Sequence, residues 1–185
     1  NGGEGAAAEN GKEEYPEKGD GEDFPRRQEI KGNDNSSPSI ERSKGFQEVI
    51  KNQHDVHLIK SFKGLSTDSL QNTLLSLKDQ NLYVFAFNDE LASQAWQTAR
   101  NIGIEKNIKF IGVDGLNTKD GGIQMVMDGK LNATLLYPSG AAEAIETAIK
   151  IHKGNNVPKR IQLNTTIIDR FNAEIMKNQF DRILE

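Results

Sequence analysis

From residue 31 onward, short apolar runs alternate with amphipathic stretches, and this rhythm limits the chain to a narrow set of folds. "DVHLIKSF", "LYVFAF", "IKFIGVDG" and "NATLLYP" read as strands. Between them, "STDSLQNTLLSLKD" carries Leu70, Leu74 and Leu77 at i, i+4, i+7. "DELASQAWQTARNIG" turns Leu91, Ala95, Ala99 and Ile102 inward and stops at Gly103. "SPSIERSKGFQEVIKN" opens on a Ser/Pro helix start and sets Ile40, Phe46, Val49 and Ile50 on one face. "GGIQMVMDG" and "SGAAEAIETAIKIHKG" supply two further helices. Strands separated by helices of about 10 to 15 residues imply right-handed βαβ units. The predicted class is α/β, a doubly wound parallel sheet covered on both faces.

In such sheets ligands gather outside the carboxyl ends of the strands. Asn88 and Asp89 follow one strand and Asp114 follows the next, so two strands deliver polar side chains to one rim. Asp and Asn are favoured helix N-caps. The reading assigns the cap to Asp89, at the start of the helix that begins at Glu90 or Leu91. It leaves Asn88, projecting on the opposite face, to contact a ligand. Asp114, followed by Gly115, also suits a turn.

Hydrophobic residues make up 35% of the chain, below the roughly 45–50% of globular domains. The shortfall is local. Residues 1–30 are rich in Gly, Glu, Asp and Lys without helical or strand period, and are expected to be a disordered or non-native tail. The organisation that follows is a lobe over 31–169 and a carboxy-terminal helix over 170–185. A net charge of −4 argues against nucleic acid as a partner. The absence of cysteine removes thiolate chemistry and Cys-ligated zinc. No run approaches the ~20 apolar residues of a membrane span, so any membrane attachment would come from regions outside this chain. "HDVH" at 54–57 invites a metal reading, but no Asp or Glu completes a set, and neither metal nor cofactor is expected. Trp96, beside the inward stripe of its helix, reads as packing. Phosphate-loop, dinucleotide and nucleophile-elbow motifs are absent, so no catalytic residues are assigned.

"ERSKGF" at 41–46, "VFAFNDELA" at 84–92, "FIGVDG" at 110–115 and "DGKLNATLLYP" at 128–138 resemble the type I periplasmic binding protein family. Its sugar-binding group includes ribose-binding proteins and the effector domains of LacI-type repressors. The resemblance covers roughly residues 30–168. It implies that Arg42 donates to sugar hydroxyls, that Asn88 reads a hydroxyl pair, and that Asp114 accepts from hydroxyls. It also implies that Phe62 stacks on the sugar ring. The hinge position after "ATLL", often glutamine in the ribose group, is Tyr137 here, a departure from the ribose pattern. Planar guanidinium, carboxamide and carboxylate groups suit vicinal hydroxyls, which both donate and accept. Arg42 and Asp114 cancel in charge, which favours a neutral polyol over an amino acid or phosphate.

Proteins of that family have two lobes with the ligand between them. The resemblance implies that this chain begins near the crossover into the second lobe, so that half the cleft is absent. The face of Ala144, Ile145, Ala148 and Ile151, which would pack on the other lobe, is then expected to be exposed. Ala173, Met176, Phe180 and Ile183 follow a 3-4-3 spacing. Their segment resembles the exit helix of hybrid two-component sensor kinases with a sugar-binding ectodomain, where it would support a homodimer. The reading is a periplasmic monosaccharide-sensing domain of a histidine kinase. A stand-alone transporter component and a repressor effector domain are alternatives within binding modules. An enzyme using Asp89, Glu90 and Asp114 in glycoside chemistry is the alternative of another class.

Overall fold

In the computed structural model, residues 26–32, 36–53, 57–63, 67–76 and 82–184 are described, with backbone alone at 26, 57–63, 67, 183 and 184. Six strands form one sheet: β1 (Arg26–Lys31), β2 (His57–Lys63), β3 (Leu82–Ala86), β4 (Ile108–Asp114), β5 (Ala133–Leu136) and β6 (Ile167–Asp169). The helices are α1 (Ser37–Lys51), α2 (Thr67–Ser76), α3 (Asp89–Asn101), α4 (Gly122–Met127), α5 (Ala141–His152) and α6 (Ala173–Leu184).

The spatial strand order is β2-β1-β3-β4-β5-β6. The first five strands run parallel, so their carboxyl ends share one edge. β6 pairs antiparallel with β5 and turns that side of the sheet into a hairpin-like border. The sequence reading anticipated parallel pairing throughout. "IID" is too short to announce itself as a strand, and its pairing comes from the tertiary approach to β5.

β1 corrects the expected boundary at residue 30. Residues 26–30, assigned above to the polar tail, form most of a strand laddered to β2 on one side and β3 on the other. "RRQEIK" has no apolar alternation because Gln28 and Glu29 occupy fully buried positions beside Ile30. Both side-chain polar atoms of Gln28 are buried without a hydrogen-bond partner among the described residues. The two neighbouring ladders impose extended backbone on a segment whose composition argues against it.

The core is built where periodicity placed it. Leu70 and Leu74 of α2 are buried, as are Ala92, Ala95 and Ala99 of α3, against Ile30, Leu82, Val84 and Phe110. Three alanines on one stripe let α3 lie close to β4, where larger side chains would hold it away. Leu77 lies outside the described residues. Trp96 packs partly buried on this core, with the Arg100 guanidinium 5.1 Å from its ring.

α1 turns differently from the apolar reading. Ile40 and Val49 are 57% and 61% exposed, while Ser39, Arg42 and Phe46 face the sheet and Phe46 stacks on Phe85 at 4.7 Å. The inward face follows i, i+3, i+7 through a serine and an arginine to Phe46, so of the apolar residues set on one face above, Phe46 faces the sheet while Ile40 and Val49 face solvent. Ser36 caps the helix, its Oγ accepting from the Ser39 N–H at 3.4 Å.

No residue of α5 is buried, and Ile145, Ile149 and Ile151 are exposed. The exposed apolar face expected there is present. α6 is packed rather than projecting. Ala173 is buried and Met176 and Phe180 lie against the core, so the described part of the 3-4-3 face is turned inward. Among the described residues, no helix is long and apolar enough to cross a membrane.

Candidate functional site

The shared carboxyl edge gathers four of the residues singled out from the sequence. Asp114 ends β4, Asn88 follows β3 after Phe87, and Tyr137 follows β5. Arg42 reaches in from α1. Its Nη1 donates to the Phe87 carbonyl at 2.7 Å and its Nη2 meets Asp114 Oδ1 at 3.1 Å. The guanidinium carbon lies 4.7 Å from the Phe87 ring and 4.8 Å from the Tyr137 ring. Two aromatic rings therefore hold the planar cation while its edge is spent on a carbonyl and a carboxylate. Lysine, with no plane to stack, could not reproduce this arrangement.

Phe87 was not foreseen as part of the site. The signal available was an aromatic residue at the end of a strand, directly before the Asn-Asp pair. Phe62 sits in β2 opposite Ile30, with its side chain outside the described part. Of "HDVH", residues 54–56 lie outside the described residues and His57 is described by its backbone alone.

The cap assigned above to Asp89 belongs to Asn88. Asn88 is the N-cap of α3, its extended backbone turning Oδ1 onto the Leu91 N–H at 2.9 Å. The carboxamide nitrogen makes no hydrogen bond among the described residues, so Asn88 caps with its oxygen and keeps two N–H groups for another partner. Asp89 is the first residue of the helix and points beneath the rim. Oδ2 accepts from the Gly115 N–H at 2.8 Å and Oδ1 from the Thr134 hydroxyl at 2.6 Å. A cap needs its side chain to curl back over the first turn, and the extended residue before the helix, Asn88, is the one with that geometry.

The pocket around Asp89 is made of glycine. A Cβ at Gly112 of β4 or at Gly122 of α4 would fall on the Asp89 carboxyl group. These glycines were the overlooked clue: one stands inside a strand and one opens a helix, where neither turn nor cap calls for glycine.

Burial dominates the electrostatics. It pushes the Asp89 carboxyl up from 3.8 to about 6, against the Thr134 and Gly115 hydrogen bonds; the Asp114 charge adds to the rise and Arg42 opposes it. Burial also raises Asp114, with the Arg42 charge and hydrogen bond pulling the other way. Glu90 is exposed and accepts from Gln94 on its own helix. Glu90 thus faces solvent, while Asp89 and Asp114 lie near enough for the charge of one to act on the other. Among the described residues, no three His, Cys, Asp or Glu side chains are grouped to hold a metal ion.

Asp114 is the only non-glycine residue with positive φ among the described residues, at 129°, followed by Gly115 at 63°. An L-residue held there costs on the order of 1–3 kcal/mol, and such strain persists where surrounding structure enforces it. The turn directs Oδ1 to Arg42 and leaves Oδ2 without a partner among the described residues. The rim thus offers amide donors, a carboxylate acceptor, a guanidinium and the exposed ring of Tyr137. Vicinal hydroxyls on a small ring would match such a set.

The chain is 31% identical to the fructose-binding periplasmic domain of a hybrid two-component system, with a TM-score of 0.74 over 85% of this chain and 54% of that one. It has the type I periplasmic binding protein fold. A second solved structure, a periplasmic solute-binding protein of an ABC transporter from Actinobacillus succinogenes 130z with bound D-allose, shares the fold. Its TM-score is 0.69 at 21% identity, over 81% of this chain and 54% of that one. The galactofuranose-binding protein YtfQ of Escherichia coli (strain K12) is 29% identical over 150 residues, 76% of this chain and 46% of that protein. The chain spans about half the length of these relatives. No protein-family model matches it.

Proposed function

We propose that this chain forms one face of a monosaccharide-binding cleft, with Arg42, Asn88, Asp114 and Tyr137 as the contacts on this side. Arg42 carries the reading: its guanidinium lies over the Phe87 and Tyr137 rings and is fixed to Asp114 at the strand edge. That edge is where a doubly wound sheet holds its ligands. The names of the similar proteins support the ligand class, since they bind fructose, D-allose and galactofuranose. Phe62 belongs to the proposal as the stacking residue of the same cleft. The chain's role is binding rather than catalysis.

The setting we propose is the periplasmic sensor domain of a two-component histidine kinase. Support comes from the 31% identity to such a domain and from α6. Asp181 of that helix accepts from the Asn117 amide at 2.8 Å, just beyond Asp114, and is braced by Lys177 at 2.7 Å. Because Met176 and Phe180 face inward, a homodimer through this helix would use its other side, with Phe171 and Ile175 exposed there. A stand-alone transporter component shares the same sugar site and is favoured by the likeness to YtfQ.

The opposing lobe would complete the enclosure. Micromolar sugar binding corresponds to about −8 kcal/mol, and half of that leaves roughly millimolar affinity for this chain alone. Calorimetric titration with fructose, allose and galactose, on this chain and on the full-length protein, tests the reading. Micromolar binding by the full-length protein that is lost in Asp114→Ala and Arg42→Ala is the expected result. Unchanged binding in both variants would refute it.

A further inference from the structure

We infer that Asp89 is the positioning residue of the sugar site, acting through Gly115 to hold the Asp114 turn and so the Arg42–Asp114 pair in register. The inference rests on the function proposed above and adds a residue that touches no ligand.

Three observations carry it. First, the turn needs holding, because Asp114 has a φ of 129° that an L-residue leaves unless constrained. Second, the turn is tied from outside: the peptide N–H that follows the strained residue donates to Asp89 Oδ2 at 2.8 Å, across 26 residues of sequence. Third, the carboxyl group cannot shift to follow the turn. Thr134 of β5 holds the other oxygen at 2.6 Å, and the glycine surfaces of β4 and α4 close against the group. Asp89 is 6% exposed. A helix needs no such acid, since Asn88 already caps α3. The charged groups around Asp89 are Asp114 at the end of β4 and Arg42 of α1; β5 and α4 present Thr134 and Gly122.

The two bonds of Asp89 can be separated. Thr134→Val removes the hydroxyl and leaves the Gly115 bond, whereas Asp89→Ala removes both. Asp89→Asn keeps an oxygen for Gly115 and can donate to the Thr134 hydroxyl. In the full-length protein, Asp89→Ala is expected to weaken sugar binding at least tenfold. Asp89→Asn should restore binding to within about threefold, and Thr134→Val, which frees one oxygen but keeps the Gly115 bond, should lower thermal stability and weaken binding less than Asp89→Ala.

Amide NMR of this chain without ligand reads the mechanism directly. The Gly115 N–H should move upfield in Asp89→Ala and remain near its original position in Thr134→Val. Should Asp89→Ala fail to fold, the wild-type chain decides: the Gly115 amide must titrate together with the Asp89 carboxyl. A folded Asp89→Ala with unchanged Gly115 shift and unchanged affinity overturns the inference, as does a Gly115 amide indifferent to the titration of Asp89. If the wild-type full-length protein binds no sugar, the proposed function falls, and the Gly115 response still reports on the role of Asp89.

Discussion

Arg42 and Asp114 stand 72 residues apart in the chain and meet at 3.1 Å at the strand edge, with the Phe87 and Tyr137 rings 4.7 and 4.8 Å from the guanidinium carbon. Neither residue is rigid alone. α1 supplies the cation and the strained end of β4 supplies the acid, so the pair fixes the relation of those two elements at the place where the site lies.

Removing the arginine is expected to be felt first by its partner. In Arg42→Ala the Asp114 carboxyl loses the charge and hydrogen bond that oppose burial, and its pKa should rise further. Carboxyl-resolved NMR titration reads this. Sugar affinity in the full-length protein should fall with it, by about 10- to 100-fold for a lost charge-assisted hydrogen bond. Arg42→Lys should recover only part of the loss, since it cannot stack or fork.

Asn88 carries two functions that substitution can split. Asn88→Ala should destabilise the fold by about 0.5–2 kcal/mol through the lost cap. Asn88→Ser should keep most of that stability, because a hydroxyl also accepts from the first turn, yet it lacks the amide donors. Chemical denaturation and sugar titration measured on the same samples should therefore diverge for serine and agree for alanine.

The glycines around Asp89 make a third case. Gly112→Ala and Gly122→Ala each drive a methyl group into the carboxyl, and overpacking of this kind costs about 1–3 kcal/mol. Either should lower the denaturation midpoint, and a midpoint equal to that of the wild type would show that the carboxyl can step aside.

Stability should depend on pH in an unusual direction. A carboxyl raised from 3.8 to about 6 holds its proton more tightly in the folded chain than in the unfolded one. Its contribution is fully present below 3.8 and is lost as pH rises through about 6, with Asp114 acting in the same sense. Asp128 and Asp181, lowered by their hydrogen bonds and lysine partners, work the opposite way at lower pH. Denaturation midpoints measured from about pH 4 to pH 7 should decline. Asp89→Asn should flatten the upper part of that slope.

These residues also mark how far the sequence could be read. The βαβ rhythm gave the class because apolar period is set by burial, and Leu70, Leu74, Ala95 and Ala99 are buried where the period placed them. The placing of Asn88 and Asp114 at strand ends followed from topology, and Arg42 and Tyr137, named only from the family resemblance, lie beside Asp114 and Phe87 at the same edge. β1 was missed because its fold is imposed by neighbours on both sides rather than by its own residues. The cap was given to Asp89 in place of Asn88 for a related reason. Both residue types can cap, and the choice is made by an extended backbone at 88 and by a glycine-lined recess around 89 that forms only when β4, β5 and α4 come together.

The bond from Asn117 to Asp181 ties the loop beyond Asp114 to the final helix. Met176 and Phe180 hold that helix against the core, and α6 also packs on α4. In the sensor proposed above, a displacement of this loop would reach the final helix through the Asn117–Asp181 bond.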